Sequence, residues 1–255
     1  MSDKTLVSII TVCYNSEEYI EDTINSVLNQ TYNNIEYIII DGNSDDNTLD
    51  IIKEYEKKFD NGIKYISEED QGIYDAMNKG LKLATGDIIG ILNSDDFYAH
   101  ENVIEKVVNN FLANDIEALY SDLVYVAPDD PKKIIRNWQA GEYKKGKYKQ
   151  GWHPPHPTLF VKKEVYDKYG NFDLDYDIAA DYDIMLRFLE KYNISTLYIP
   201  EVFIKMRIGG ESSKNFKSIL VNSWECYKVL KKNDLEGGAF TILFKLLWKA
   251  TQYIK

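Results

Sequence analysis

Cysteine is nearly absent from this chain, two residues in 255, and no pair or cluster of cysteines forms a metal-ligand spacing. Cys13 sits in an apolar run and Cys226 in a helical pattern, so no disulfide framework is expected and a reducing cytosol is the simplest home. No uncharged apolar stretch is long enough to cross a bilayer. Met1-Ser2-Asp3-Lys4 lead straight into a strand pattern, so no signal peptide is expected. Positive charge is short as well: 30 basic residues against 41 acidic ones give a formal charge of −11, which excludes a general nucleic-acid binder. There is no internal repeat and no low-complexity segment.

What is present is an ordinary soluble composition, 44% hydrophobic and 28% charged, with 20 tyrosines suited to surfaces that stack on rings or bond to hydroxyls. The length allows one α/β domain with a small addition. From residue 5 to residue 92, apolar runs alternate with helical patterns. Strands are expected at 6–12, 35–40, 63–66 and 87–92, and helices at 17–29, up to 55 and after Gly72, where Ile73, Met77, Leu81 and Ala84 mark a core face. That alternation predicts a parallel sheet with right-handed crossovers.

The second half is less regular. Strands are expected at 118–126, 133–138, 196–199 and 202–206, with helices at 100–112, 178–192, 218–232 and 239–253. Residues 132–149 hold seven basic side chains and one acid, Glu142, and read as a mobile loop. Gly151 to Pro157 places two histidines among three prolines, which constrains the backbone.

The run Asp87-Ile88-Ile89-Gly90-Ile91-Leu92 ends at Asn93-Ser94-Asp95-Asp96. Strand ends at the carboxyl edge of an open α/β sheet are where ligands bind. Adjacent carboxylates there repel unless a cation lies between them, and hard oxygen ligands point to Mg2+ or Mn2+, usually with phosphate oxygens. A plain N-cap for the next helix is the bland alternative.

Four ordered segments carry a resemblance: Val7-Ser8-Ile9-Ile10-Thr11-Val12-Cys13-Tyr14-Asn15, Ile40-Asp41-Gly42-Asn43-Ser44-Asp45-Asp46-Asn47-Thr48, Gly72-Ile73-Tyr74-Asp75-Ala76-Met77-Asn78-Lys79-Gly80 and Leu92-Asn93-Ser94-Asp95-Asp96. Together they resemble the inverting family 2 glycosyltransferases of the GT-A fold, strongly over the first half and weakly to about Ser213. The resemblance implies a Rossmann-like, mainly parallel sheet flanked by helices. The expected layout is a catalytic domain over 1–213, split near 98 into nucleotide-sugar and acceptor halves, and a helical appendage over 214–255. It implies a UDP-sugar donor bound by Thr11, Tyr14, Asn15, Asp41, Asp75, Asp95 and Arg207. Tyr14 would stack on the base, or else cap the core. Asp41 would accept the N3–H of uracil, or else start a turn.

The family's metal pattern is Asp-x-Asp, and this chain has Asn93 at its first position. Asp95 and Asp96 are therefore both metal candidates, without a decision on which ligates directly. An inverting transfer needs a base, and the family places a carboxylate at a helix start near the acceptor. In Ala179-Ala180-Asp181-Tyr182-Asp183, Asp181 is the expected base and Asp183 the substitute; acids favoured in a first helical turn are the bland reading. His156 matches a histidine near the acceptor, with a packed structural histidine as the alternative. Met206-Arg207-Ile208-Gly209-Gly210-Glu211-Ser212 resembles a loop closing over the donor diphosphate, with Arg207 as its charge partner; an ordinary Gly-Gly turn is the other reading.

The last helix carries Thr241, Lys245, Lys249 and Gln252 on one stripe and apolar residues elsewhere, with no acid after Ala239. It suits a membrane surface or a packing face equally, and the basic 132–149 segment adds attraction for anionic lipid or a pyrophosphate-linked acceptor. The expected activity is transfer of a hexose or N-acetylhexosamine to a glycan or lipid-diphosphate-linked saccharide in surface polysaccharide synthesis, in the cytoplasm or on its membrane face. Two rivals are a nucleotidyltransferase, which lacks its Gly-rich basic loop here, and a non-catalytic sugar-nucleotide or glycan-binding module.

Overall fold

The computed structural model describes residues 5–59, 62–209, 216–235 and 238–252. β1 (Val7–Cys13), β2 (Ile35–Asp41), β3 (Ile63–Ser67) and β4 (Ile88–Ile91) alternate with α1 (Ile20–Leu28), α2 (Thr48–Glu56) and α3 (Ile73–Leu83), as the pattern predicts. All neighbouring pairs in the order β3-β2-β1-β4 are parallel. β1 and β2 are buried along their whole length, which is why both read as unbroken apolar runs. Alternate β1 residues feed opposite layers. Ile10 and Val12 pack with Met77 and Leu81 of α3, whereas Ile9 packs with Ile20 and Ile24 of α1. Each such side chain contributes on the order of 1.5–3 kcal/mol by leaving water.

Beyond β4 come β5 (Phe97–Tyr98), α4 (Val103–Ala113), β6 (Ala118–Val126), β7 (Ile134–Trp138), β8 (Phe160–Lys162), α5 (Lys163–Tyr169), α6 (Ala180–Leu186) and β9 (Thr196–Arg207). The full sheet order is β3-β2-β1-β4-β8-β6-β9-β5, with β7 on β6. β5 is too short to announce itself by periodicity, and α5 also lay outside the expected elements. The two strands expected at 196–199 and 202–206 are one strand. Its register against β6 steps from Ile199 to Val202, so Pro200 and Glu201 form an irregularity where proline has no N–H to donate. The helix expected at 178–192 is α6 followed by a π-helical turn, Arg187–Lys191. At the start of α3 the expected core residue Ile73 is 45% exposed and Tyr74 is buried instead, its hydroxyl donating to the Ile178 carbonyl at 2.6 Å.

The stretch expected to be a mobile loop is anchored. Tyr148 and Trp152 are buried, the Trp152 indole N–H donates to the Ala140 carbonyl at 2.6 Å, and Glu190 accepts from the Gly146 N–H at 2.8 Å. The basic count concealed these aromatic anchors.

Two helices follow, α7 (Phe216–Lys232) and α8 (Gly238–Thr251). α8 approaches the main chain at Gly151, where φ is +77° and a Cβ would stand 2.3 Å from the Lys245 nitrogen, so only glycine fits. Thr241 donates from its hydroxyl to the Lys149 carbonyl at 2.9 Å. Thr241 thus faces the protein, whereas the apolar side chains of Phe240 and Leu247 face outward, 74% and 54% exposed. Among the described residues, no helix is long and apolar enough to cross a membrane.

Candidate active site

Cys13 pairs with Asp41 and Ile10 with Ile91, so β1, β2 and β4 deliver their following loops to one edge of the sheet. A cavity of about 810 Å³ opens there. It is walled on one side by Tyr14, Asn15, Asp70 and Asn93–Asp95, and on the other by His156, Asp181 and the inner faces of α7 and α8.

The carboxylate loop is held by its backbone. The Thr23 hydroxyl donates to the carbonyls of Ser94 (2.8 Å) and Asp96 (2.7 Å), and Arg207 Nη1 donates to that of Asp95 (2.8 Å). Ser16 and Ser94 hydroxyls meet at 2.9 Å, tying the β1 and β4 loops together. Asp95 faces the cavity, whereas Asp96 is wholly buried and accepts from the Asn93 amide at 3.0 Å. Burial pushes both carboxyls above the ordinary range, and the charge of Asp95 pushes Asp96 further. Among the described residues, Asn93 Oδ1 and Asp96 Oδ1 have no hydrogen-bond partner. An all-oxygen set that includes buried oxygens without partners fits a hard divalent cation, whose charge would favour the ionised carboxylates.

Arg207 is 3% exposed and does not line the cavity. Besides Asp95, it pairs with Asp22 and lies over the rings of Tyr19 (4.5 Å) and Phe97 (4.9 Å), so it clamps the carboxylate loop from behind. Residues 210–212 of the expected closing loop lie outside the described residues.

On the opposite wall, Asp181 stands in the first turn of α6 with the Tyr74 hydroxyl 3.4 Å from its Oδ1. Asp183 is 1% exposed and engaged by Arg187 (2.7 Å) and Asn233 (2.9 Å), which turns it into the interior. Glu225 of α7 accepts the backbone N–H groups of Asp177 (3.0 Å), Ile178 (2.8 Å) and Ala179 (3.0 Å), so α7 fixes the start of α6. His156 packs edge-on against Phe172, and burial lowers its pKa, partly offset by Asp181. Its imidazole is therefore neutral at neutral pH.

Besides Arg207, three more of the expected donor contacts are not brought to this cavity. Thr11 is buried against the Tyr37 hydroxyl at 3.1 Å. Asp41 is fully buried and accepts from the hydroxyls of Ser67 (2.6 Å) and Ser44. Asp75 lines a separate cavity with Lys79 and Lys163. Asp70 stands in the wall instead: a Cβ on Gly42 would come within 2.7 Å of its carboxylate and 3.5 Å of the Tyr14 ring. Asp70, Arg136, His153 and Lys245 are lining residues that sequence reasoning missed as site candidates, because each comes from a separate segment.

A sheet of this topology with carboxylates at its central strand ends defines the GT-A class of transferase. The Glycosyl transferase family 2 model matches residues 8–170, and the chain belongs to that family and is a glycosyltransferase. An uncharacterised glycosyltransferase of Haemophilus influenzae is 30% identical over 98% of this chain and 97% of its own. TuaG of Bacillus subtilis strain 168, described as a candidate glycosyltransferase of teichuronic acid biosynthesis, is 47% identical over 41% of each chain. Among solved structures, S. aureus TarS bound to UDP-GlcNAc superposes with a TM-score of 0.68 at 17% identity, over 96% of this chain and 73% of that one. The Pyrobaculum calidifontis mannosyltransferase PcManGT, with GDP-Man and Mn2+, gives 0.65 at 18% identity over 99% and 70%.

Proposed function

We propose that this enzyme transfers a hexose or N-acetylhexosamine from a UDP-sugar to a hydroxyl of a glycan or lipid-diphosphate-linked saccharide, with inversion, in surface polysaccharide assembly. The observation that carries the reading is one cavity with Asp95 on one wall and Asp181 on the other, each on a braced backbone. The relatives TarS with UDP-GlcNAc and TuaG support a UDP-sugar donor and a polysaccharide setting.

Tyr14 offers an exposed ring to the uracil, and Asp70 beside it offers the acceptor that uracil N3–H requires. Asp41, with its carboxylate committed to Ser44 and Ser67, shapes that corner from beneath. Asn15, in left-handed backbone geometry at φ +49°, fixes the turn between them by accepting from the Asp45 N–H at 3.0 Å. Arg207 acts through the Asp95 carbonyl it holds. Mn2+ or Mg2+, held by Asp95 with the spare oxygens of Asn93 and Asp96, would supply charge neutralisation for the departing diphosphate. Asp181 takes the acceptor hydroxyl's proton as that oxygen attacks the anomeric carbon, and the bond from that carbon to UDP breaks on the opposite face. His156, neutral, orients the acceptor by hydrogen bonding.

The two buried free thiols fit a reducing compartment. We place the enzyme on the cytoplasmic membrane surface, held there by the outward apolar stripe of α8 beside the exposed Lys144, Lys145 and Lys149.

Incubating the protein with UDP-Glc, UDP-Gal and their N-acetyl forms in the presence of Mn2+ tests the reading. At least one should be hydrolysed slowly to UDP, and Asp181→Asn should lower turnover at least a hundredfold while UDP binds as before. Wild-type turnover surviving in Asp181→Asn would remove the proposed base.

A further inference from the structure

Beyond Asp181 the cavity is lined by the sheet and by the two C-terminal helices, and both supply apolar walls. Leu123 and Tyr125 are two apart on β6 and so share a face. Trp138 of β7 lies opposite Leu123, and Met206 of β9 lies opposite Tyr125, which puts all four on that face. α7 and α8 add Ile219 and Ile242, and all six side chains line the cavity. Gln252, just past the end of α8, reaches the same face through Arg136, whose guanidinium lies 4.4 Å from the Tyr125 ring. Rings connect these walls to the proposed base. Tyr182 adjoins Asp181 in the chain, its ring meets His153 edge-on at 5.5 Å, and His153 meets Trp138 edge-on at 5.2 Å.

The polar side chains that share this part of the cavity are engaged within the protein. Ser223 donates to the Ile219 carbonyl at 2.8 Å, the Cys226 thiol to Asn222 at 3.1 Å, and Lys245 to the Cys226 sulfur at 2.8 Å. Arg136 donates to Gln252 at 2.7 Å, and His153 Nδ1 lies 3.0 Å from the Pro154 carbonyl. Tyr125, Trp138, Met206 and Ile242 pack on the core and yet are only partly buried. Partly buried apolar side chains around open space gain when an apolar ligand displaces the water there. A saccharide by itself would set its hydroxyls against these walls and lose hydrogen bonds to water without replacement. An aliphatic chain has none to lose. An acceptor that joins such a chain to a sugar hydroxyl matches apolar walls that begin beside a base.

We propose that Leu123, Tyr125, Trp138, Met206, Ile219 and Ile242 form a slot for the aliphatic chain of a lipid-linked acceptor. The slot rests on the acceptor reading given above and narrows it: of the acceptors named there it selects the lipid-linked one, and it holds the first carbons of the chain inside the protein rather than in a bilayer.

Calorimetry tests this with the protein saturated in UDP and Mn2+, so that the donor end is filled, and with every probe kept below its micelle threshold. The probes are octyl glucoside, methyl glucoside and methyl maltoside, the last lengthening the ligand by a second sugar instead of a chain. Octyl glucoside should bind at least tenfold tighter than either of the others. Ile219→Asn combined with Ile242→Asn should cut that preference below threefold, and the milder Met206→Gln should cut it at least twofold. UDP affinity, read in the same titrations, exposes any variant that has lost its fold. Phe240→Ser with Phe244→Ser should keep the full preference, which separates the slot from the outward face of α8. Methyl maltoside binding as tightly as octyl glucoside overturns the proposal, as does a preference that survives the slot variants or disappears in the outward-face variant. Failure of the wild-type chain to bind UDP is instead the failure of the donor reading, and the chain preference is then judged by the same criterion without nucleotide.

Discussion

Glu36 lies at the amino-terminal edge of the sheet, away from the cavity, and it shows how much one carboxylate can organise. Its oxygens accept from Lys64 Nζ, the Ser8 hydroxyl, and the backbone N–H (2.8 Å) and hydroxyl (2.7 Å) of Thr85, joining β1, β2, β3 and the approach to β4. Burial pushes its pKa up, but these bonds outweigh burial and hold it at about 2. A folded value below the unfolded one means the contribution is complete above the ordinary glutamate range and is lost as pH falls through about 2. Glu36→Gln should therefore cost about 2 kcal/mol at pH 7, after allowance for the solvent around Lys64. The gap between wild type and variant should narrow steadily as urea titrations are repeated from pH 5 down to pH 2. A gap that stays constant would show that the bonds contribute through geometry alone.

At this same scale, the legible part of the site was the part carried by short contiguous motifs. Asp95 and Tyr14 each follow a strand whose end the apolar pattern marks, and Asp181 stands in the first turn of a helix that the pattern also marks. Asp70 was hidden because its place in the wall depends on Gly42, 28 positions earlier, leaving room for its carboxylate. Asp41 and Asp183 look as reactive in the sequence as Asp70 and Asp181. Only the packing of Ser44 and Ser67, or of Arg187 and Asn233, shows that they are spent on structure.

Elements matter here through what they hold for one another. α6 has no side-chain cap of its own, and the N–H groups of the three residues that lead into it, Asp177, Ile178 and Ala179, are met by Glu225 from α7. A buried carboxylate accepting three backbone N–H groups also favours the positive end of the α6 dipole. Glu225 is thus a positioning residue for Asp181, and glutamine there keeps one acceptor oxygen but loses the charge. Glu225→Gln should lower kcat for UDP-sugar hydrolysis about tenfold, with the KM for the donor unchanged and unfolding stability reduced by about 1–3 kcal/mol. A fall in stability with kcat intact would make Glu225 a structural contact only. The parallel half of the sheet was legible because β1, β2 and β4 are buried runs between turn signals, with the partly exposed β3 at its edge. The other half was not, because β5 and β8 have two and three residues and owe their pairing to β9, β4 and β6.

For the molecule as a whole, the orientation of α8 decides how it meets its surroundings. A helix in water ordinarily turns its apolar stripe inward; α8 instead turns polar residues inward, Thr241 bonded to the Lys149 carbonyl and Lys245 to Cys226, with Gln252 just past its end bonded to Arg136. The outward residues Phe240, Leu243, Phe244 and Leu247 recur at the spacing of one helical face and are all about half exposed or more. In the proposal made above, an anionic lipid surface covers this face together with the neighbouring lysines and so brings a lipid-linked acceptor to the mouth of the cavity. Removing the whole helix would also remove Lys245 and Gln252, so it confounds anchoring with substrate binding. The sharper variant is Phe240→Ser with Phe244→Ser, which leaves the inner stripe intact. It should sediment at least fivefold less with vesicles containing one-third phosphatidylglycerol, and 0.5 M salt should weaken wild-type binding by screening the lysines. UDP-sugar hydrolysis without vesicles should be unchanged, since neither phenylalanine lines the cavity. Equal sedimentation of variant and wild type would show that α8 turns its apolar face to a partner other than lipid.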